Sequence, residues 1–179
     1  MQLTSSVARI LLVSICMLQI QCTAKVDKLL VWSLNQFEQH AKTKVDVVVL
    51  LYPTAPLRRT SSITETIEQV TVHDFDSALS LVEDTSYLWE VRQDGTAVPS
   101  NYDPANRAPR QLERWNQWRE NKAIYAMKRD LLVESGCRLG GRIGYCEMSA
   151  LHSLDIDIAD DLALAESILK SGRVSKPST

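Results

Sequence analysis

The run DVVVLL at residues 46–51 constrains the fold more than any other segment of this chain. Its β-branched and aliphatic residues lack the polar alternation of a strand with one face in water. Such a run is typical of a strand buried on both faces, as in a parallel sheet covered by helices. Tyr52 and Pro53 follow, and proline cannot donate to a strand ladder, so the strand is predicted to end there.

Helices and strands are predicted to alternate around this strand. Apolar residues at helical spacing predict an amphipathic helix over 26–41, and Ser62 with Glu65 three residues later forms a capping-box pattern that predicts the start of a second helix. Alternating elements predict an α/β domain with a mostly parallel sheet and helices on both faces. The other predicted elements are strands over 77–82, 123–127 and 143–147, and helices over 129–134 and 159–170.

Residues 84–119 differ in character from the rest of the chain. Asp, Asn, Pro, Arg, Gln and Trp crowd together there with little periodicity, which predicts an irregular excursion from the sheet.

Composition excludes several classes of protein. With 179 residues, 45% hydrophobic and 23% charged, the chain is typical of a globular domain, which excludes a disordered or a multi-spanning membrane protein. A net charge of -2 provides no basic field for nucleic acid. We therefore expect neither a nucleic-acid nor a membrane partner, and any anion must be bound by a local site.

The N-terminus has two interpretations. The apolar run ILLVSICMLQI at residues 10–20, followed by Cys22-Thr23-Ala24, is of signal-peptide length, but it is shorter than the roughly 20 residues of a spanning helix. It could instead be a buried helix, or sequence created by a displaced start codon. Residues 1–25 are predicted to lie outside a domain at 26–172, and 173–179 to form a flexible tail.

The segment HSLDIDIADDLALAE at 152–166 carries the strongest chemical signal. Asp155 and Asp157 are two residues apart, so in an extended segment their carboxylates face the same side and converge. Paired carboxylates suit Mg²⁺ (or Mn²⁺), which binds through such oxygens and substrate phosphates. Alternatively, acidic residues here accept N–H groups at a helix N-terminus, which is the favoured interpretation for Asp160.

Arginines supply two candidate anion sites. Arg58 follows the turn of LLYPTAPLRR, beyond the carboxyl end of the buried strand, where open α/β sheets bind ligands. A second group surrounds Trp115 and Trp118, whose interpretation as packing or subunit-contact residues remains open. This second group consists of Arg107, Arg110, Arg114 and Arg119.

The order of six segments resembles the acylneuraminate cytidylyltransferases, the CMP-sialic acid synthetase family. The segments are LLYPTAPLRR, DFDSALSLVED, PRQ, ENKAIYAMKRDLL, GGRIGYCEM and HSLDIDIADDLALAE, and the resemblance runs from about residue 26 to 169. Each motif alone is weak, but their combination is specific.

The resemblance implies a Rossmann-like sheet of the nucleotide-diphospho-sugar transferase type, and transfer of CMP from CTP to a sialic-acid-like nonulosonic sugar acid with release of pyrophosphate. It implies a divalent metal on the catalytic pair Asp155 and Asp157, a cytoplasmic location, and a homodimer to which the excursion contributes. The substrate-binding residues that it implies are Tyr52, Arg58, Arg110, Gln111, Arg119, Asn121 and Tyr125.

Three departures from the family pattern stand out. Tyr52 replaces a glutamine and Lys122 replaces a glycine, which points to a different acid, for example a legionaminate- or pseudaminate-like sugar. No ARxGSK-like phosphate loop precedes the helix at 26–41, so the domain is expected to be partial and truncated at its N-terminus. Three interpretations stay open: an enzyme with a misplaced start, a non-catalytic remnant that keeps sugar-acid and dimer surfaces, and an exported binding protein.

Overall fold

The computed structural model describes residues 8–14, 25–107 and 116–172. The described residues form two compact units, one within 83–119 and the other comprising the rest of the described residues. The larger unit contains β1 (Ile10–Ser14), α1 (Val26–Ala41), β2 (Val47–Leu51), α2 (Thr60–Thr71), β3 (Ser77–Glu83), β6 (Trp118–Lys128), α3 (Arg129–Ser135), β7 (Ile143–Glu147) and α4 (Ala159–Lys170), with β3 and β6 reaching its boundary. The smaller unit contains β4 (Trp89–Val91) and β5 (Ala97–Pro99).

In the described part of the chain, five strands form one mixed sheet in the order β1-β2-β6-β3-β7. The β1–β2 and β3–β7 pairs are parallel, whereas β6 runs antiparallel to β2, with Val47 opposite Lys128 and Leu51 opposite Ile124. The predicted α/β class is confirmed. The sequence pattern did not reveal that the middle strand runs in the opposite direction, because a strand buried on both faces has the same apolar pattern in either direction.

Helices cover both faces of the sheet, as predicted. Val48 and Leu50 of β2 pack in a cluster with Leu30 and Leu34 of α1. The alternate residues, Val47 and Val49, belong to a second cluster that includes Val70, Ile63 and Ile67 of α2. Successive side chains of a strand point to opposite faces, so the DVVVLL run supplies both cores at once.

The capping-box prediction at Ser62 was wrong. Helix α2 begins at Thr60 after an extended Arg59, without a side-chain cap. Ser62 is buried within the helix, and Glu65 contacts the buried Sγ of Cys146 at 3.2 Å. Burial, followed by the contact with Glu65, raises the pKa of Cys146 to about 11. The two residues that match the capping pattern are therefore not used as a cap, and Glu65 instead faces the sheet.

Part of the apolar N-terminal run forms an edge strand rather than the helix considered above. Strand β1 pairs in parallel with β2, and Arg9 fixes its start, since the backbone N–H and the guanidinium of Arg9 both contact Asp46. Residues 15–24 lie outside the described part of the chain. Among the described residues, no helix is long and apolar enough to cross a bilayer.

The unit at 83–119 is less irregular than predicted, because it contains a two-stranded antiparallel hairpin of β4 and β5. Aromatic rings pack beside it: the Tyr87 and Tyr102 centroids are 4.6 Å apart, and those of Trp89 and Tyr102 are 6.0 Å apart. The Arg107 guanidinium lies 4.1 Å from the centre of the Tyr87 ring. Cation–π and edge-on ring contacts of this kind stabilise a unit that has little regular structure.

Candidate functional site

The candidate site lies at the edge of the sheet where β2 ends. Because β6 is antiparallel to β2, the residues that precede Ile124 in β6 extend beyond the carboxyl end of β2. The segment after β7 reaches the same edge, since the Ile156 N–H donates to the Thr54 carbonyl at 2.8 Å. Carboxyl ends of strands are where open α/β sheets bind ligands.

Asp155 and Asp157 converge on one point, as their spacing predicts. That point is the ammonium group of Lys122, whose Nζ lies 2.9 Å from Oδ2 of Asp155 and 3.3 Å from Oδ2 of Asp157. The hydrogen bond to Asp155, and then the one to Asp157, raises the pKa of Lys122. Lys122 is therefore protonated at neutral pH, and its positive charge lies between the two carboxylates.

Backbone geometry places Lys122 in this position. Its φ is +57°, in the left-handed region where side chains are disfavoured and glycine is at ease. The resemblance assigns a glycine to this position, and the backbone here has the conformation that a glycine would adopt. A glycine would therefore fit this backbone conformation, and the conformation does not depend on the lysine side chain.

Asp161 orients the acidic segment from the other side. Its Oδ2 accepts the backbone N–H groups of Asp157 and Ile158, both at 3.0 Å, at the start of α4. This is the helix N-terminus role that carboxylates commonly take. Asp160 lies in the same first helical turn.

The carboxylate pair fits a divalent cation in its donor chemistry. Asp155 Oδ1 is buried and has no hydrogen-bond partner among the described residues, which leaves an oxygen able to bind such an ion. The Lys122 ammonium contacts the other oxygen of Asp155, so both cations compete for the same carboxylates. Among the described residues, no group of three or more His, Cys, Asp or Glu side chains could hold a metal, either at this pair or elsewhere.

Asn121 is buried and uses both ends of its amide inside the protein. Its Oδ1 accepts from Ser80 Oγ at 2.6 Å, and its Nδ2 donates to Ser153 Oγ at 2.9 Å. The Ser80 hydroxyl also accepts the Ile124 N–H at 3.0 Å. Asn121 therefore ties β6 to β3 and to the segment that leads to Asp155.

Tyr52 and Tyr125 form one wall of the same region, with ring centroids 5.9 Å apart. The Tyr125 hydroxyl donates to the Glu120 carboxylate, and burial, reinforced by this bond, raises the pKa of Tyr125. Burial also raises the pKa of Tyr52. Arg138 lies over the Tyr125 ring at 4.8 Å from its centre.

Arg58 is half-buried and stabilises the turn after β2. Its Nη1 donates to the carbonyls of Tyr52 and Ala55, the latter at 2.8 Å. Burial lowers its pKa.

Arg119 belongs to the unit at 83–119, where its Nε lies 3.8 Å from Asp84. Arg110 and Gln111 lie outside the described residues.

Sequence analysis missed two members of this region. Arg138 reaches it from the loop after α3 and pairs with Asp27 at 2.8 Å, across 111 positions of sequence. Lys122 was recognised as a departure from the family pattern, but not as the partner of the acidic pair. The signal for Lys122 was present in its replacement of a glycine, whereas nothing local marks Arg138.

Curated relatives of this chain are enzymes named for cytidylyl transfer. N-acylneuraminate cytidylyltransferase A of Danio rerio is 34% identical over 137 residues, which cover 74% of this chain and 31% of the relative. N-acylneuraminate cytidylyltransferase of Oncorhynchus mykiss is 32% identical over 139 residues, 75% of this chain and 32% of the relative. The chain thus spans about a third of the length of the curated relatives it matches.

Other comparisons are weaker. No family model matches the chain. A 4-diphosphocytidyl-2C-methyl-D-erythritol synthase from Anaerococcus prevotii has a TM-score of 0.49 at 9% identity, covering 75% of this chain and 64% of that one. The 2-C-methyl-D-erythritol 4-phosphate cytidylyltransferase from Thermus thermophilus has a TM-score of 0.49 at 14% identity, and the match covers 89% of this chain and 81% of that one.

The curated relatives are cytidylyltransferases by name, which places those relatives in the class of nucleotidyltransferases. More particularly, about three quarters of this chain is homologous to part of the N-acylneuraminate cytidylyltransferases. The resemblance indicated by the sequence motifs is confirmed as a partial match to that family.

Proposed function

We propose that this chain transfers CMP from CTP to a sialic-acid-like nonulosonic sugar acid and releases pyrophosphate. The observation that carries the proposal is the convergence of Asp155 and Asp157 at the carboxyl edge of the sheet, in a chain homologous to N-acylneuraminate cytidylyltransferases. A hydroxyl oxygen of the sugar forms a bond to the α-phosphorus, the bond from that phosphorus to pyrophosphate breaks, and the hydroxyl proton passes to water. Such a displacement depends on positioning and on electrostatic stabilisation.

Asp155 and Asp157 are the residues proposed to hold a divalent cation, Mg²⁺ or Mn²⁺. The chemistry that this ion supplies when bound is neutralisation of negative charge on the phosphates. Asp155 is held in place by the backbone bond of Ile156 to Thr54, and Asp157 by Asp161. These two bonds fix the backbone segment that carries both carboxylates.

From the resemblance, we propose that Tyr52, Asn121 and Tyr125 form the part of the site that receives the sugar acid. The residues proposed to lie near the anionic groups of the substrates are Arg58, Arg110, Gln111 and Arg119. Tyr52 is larger than the glutamine of the family and supplies one hydroxyl, which favours a legionaminate- or pseudaminate-like acid. The Asn121 amide already forms hydrogen bonds within the protein, so its proposed role is to hold this edge of the sheet in position for the substrate. A need for CTP supports a cytoplasmic location.

Pyrophosphate release tests the function. The 179-residue chain is incubated with CTP, Mg²⁺ or Mn²⁺, and in turn N-acetylneuraminate, a legionaminate and a pseudaminate. We expect release with at least one acid, and a loss of about 100-fold or more in Asp155→Asn and Asp157→Asn. Asp160→Asn is the matched control, since it removes the same charge from the first turn of α4.

Two results would contradict the proposal. One is pyrophosphate release in Asp157→Asn at the rate of the unchanged chain. The other is no release with any of the three acids, in which case calorimetry with the same acids shows whether the chain only binds them.

A further inference from the structure

The Lys122 ammonium stands where a cation between Asp155 and Asp157 would stand. It contacts one oxygen of each carboxylate, at 2.9 Å and 3.3 Å. An ammonium and a metal ion in contact with the same two oxygens would repel each other at close range. The lysine therefore acts as a tethered cation in the acidic pair.

The charges at the site explain why a divalent cation can replace the Lys122 ammonium between the two carboxylates. One ammonium neutralises one of the two carboxylate charges, whereas a divalent cation neutralises both. The Lys122 side chain is 52% exposed and that of Asp157 is 66% exposed, so water screens much of their attraction. Asp155 is only 16% exposed and keeps a buried Oδ1 without a partner among the described residues, an oxygen that the lysine does not satisfy.

We propose that Lys122 competes with a divalent cation for the Asp155–Asp157 pair, so that the cation binds only when the ammonium swings out. Lys122 thereby sets the cation requirement of the site. This inference rests on the proposed function only for its assignment of the acidic pair as the cation site.

Binding of Mn²⁺ alone, without nucleotide or sugar, is the test. Free Mn²⁺ is measured by electron paramagnetic resonance during titration of the full 179-residue chain. Lys122→Met removes the charge at similar side-chain length, and we expect it to bind Mn²⁺ about tenfold or more tightly than the unchanged chain. Lys122→Arg keeps the charge and is expected to bind as weakly as the unchanged chain.

Lys128 provides the matched control, because its ammonium also bridges two carboxylates, those of Asp74 at 2.8 Å and Asp76 at 3.0 Å. Lys128→Met removes the same charge from a more exposed bridge at the other end of β6, where Asp74 is 84% and Asp76 35% exposed. We expect no comparable gain from it. The double variant Lys122→Met with Asp155→Asn is expected to lose the gain.

Lys122→Gly is a second variant without the ammonium, and we expect it to fold because glycine readily adopts the φ of +57° at this position. Unchanged Mn²⁺ affinity in both Lys122→Met and Lys122→Gly would overturn the inference. An equal gain in Lys128→Met would also overturn it, since the effect would then follow net charge alone. The expected binding pattern without any pyrophosphate release would support the inference while contradicting the proposed function.

Discussion

Asn121 links three parts of the candidate site through its side-chain amide. Ser80 on β3 donates to its oxygen, and its nitrogen donates to Ser153, just before the acidic segment. Asn121 as a whole is 1% exposed. A buried amide with satisfied partners specifies one arrangement, because any other leaves polar atoms unpaired. At the residue scale, Asn121 is therefore a positioning residue for Asp155.

Replacement of this amide should be costly. We expect Asn121→Ala to lower the free energy of unfolding by about 2–4 kcal/mol, because it removes the acceptor for the Ser80 hydroxyl and the donor to the Ser153 hydroxyl and opens a small cavity. Urea denaturation followed by circular dichroism measures the change. Asn35→Ala on the exposed side of α1 is the control, with an expected change within about 0.5 kcal/mol. Equal stability of the two variants would show that the buried network contributes nothing.

The convergence of Asp155 and Asp157 could be predicted at this scale, because residues two apart in an extended segment share a side. The occupant of their meeting point could not. Lys122 lies 33 positions before Asp155 in sequence, and it reaches the pair only because β6 runs antiparallel to β2. That direction depends on the pairing of distant strands, which local sequence does not encode.

At the scale of elements, helices α1 and α3 are joined by an ion pair with two contacts. Arg129 Nε and Nη2 each donate to a carboxylate oxygen of Glu38 at 2.9 Å. The two side chains are 18% and 12% exposed, so water screens the pair less than a surface pair. The hydrogen bond from Arg129 is the largest influence on Glu38, and it holds the pKa of Glu38 below its ordinary value of 4.5.

The stabilisation by this pair should depend on pH. Because folding lowers the pKa of Glu38, its contribution is fully present above the unfolded-state pKa and is lost as pH falls through the folded-state pKa. We expect Glu38→Gln to be about 1–2 kcal/mol less stable than the unchanged chain at pH 7. This difference should shrink progressively below about pH 4.5.

Urea denaturation of both proteins between pH 7 and pH 3.5 measures this difference. Glu166→Gln serves as the control, since Glu166 pairs with Lys170 on the exposed side of α4 and should contribute within about 0.5 kcal/mol. A difference for Glu38→Gln that stays constant over the whole range would contradict the assigned role of its charge.

Elements with strong local signals were predicted closely. Helix α1 and helix α4 have the bounds predicted from apolar spacing, and β7 matches its apolar run. The start of α2 was wrong because Glu65 faces Cys146 in the core, a tertiary contact that overrides the capping pattern. The edge strand β1 was not predicted, because a short apolar run has the same appearance in a strand, a helix or a signal peptide.

At the scale of the whole molecule, the unit at 83–119 exposes apolar side chains on and beside its hairpin. Leu88 is 47% exposed, Trp89 51% and Val91 75%. Grouped exposed apolar residues of this kind mark interaction surfaces. The family resemblance independently implies that this excursion takes part in a homodimer. We therefore expect two copies of the chain to associate through the hairpin.

Sedimentation velocity tests this expectation. The unchanged chain, of 20.1 kDa, is expected to sediment as a dimer, and Val91→Asp to shift it towards monomer because a carboxylate buried at an interface loses its hydration. Val72→Asp is the matched control, since Val72 is 68% exposed in the larger unit. A monomeric unchanged chain, or equal dissociation by both substitutions, would contradict a hairpin-mediated dimer. Dissociation by Val91→Asp alone would locate the subunit contact on the hairpin, because both substitutions add the same charge at similarly exposed valines.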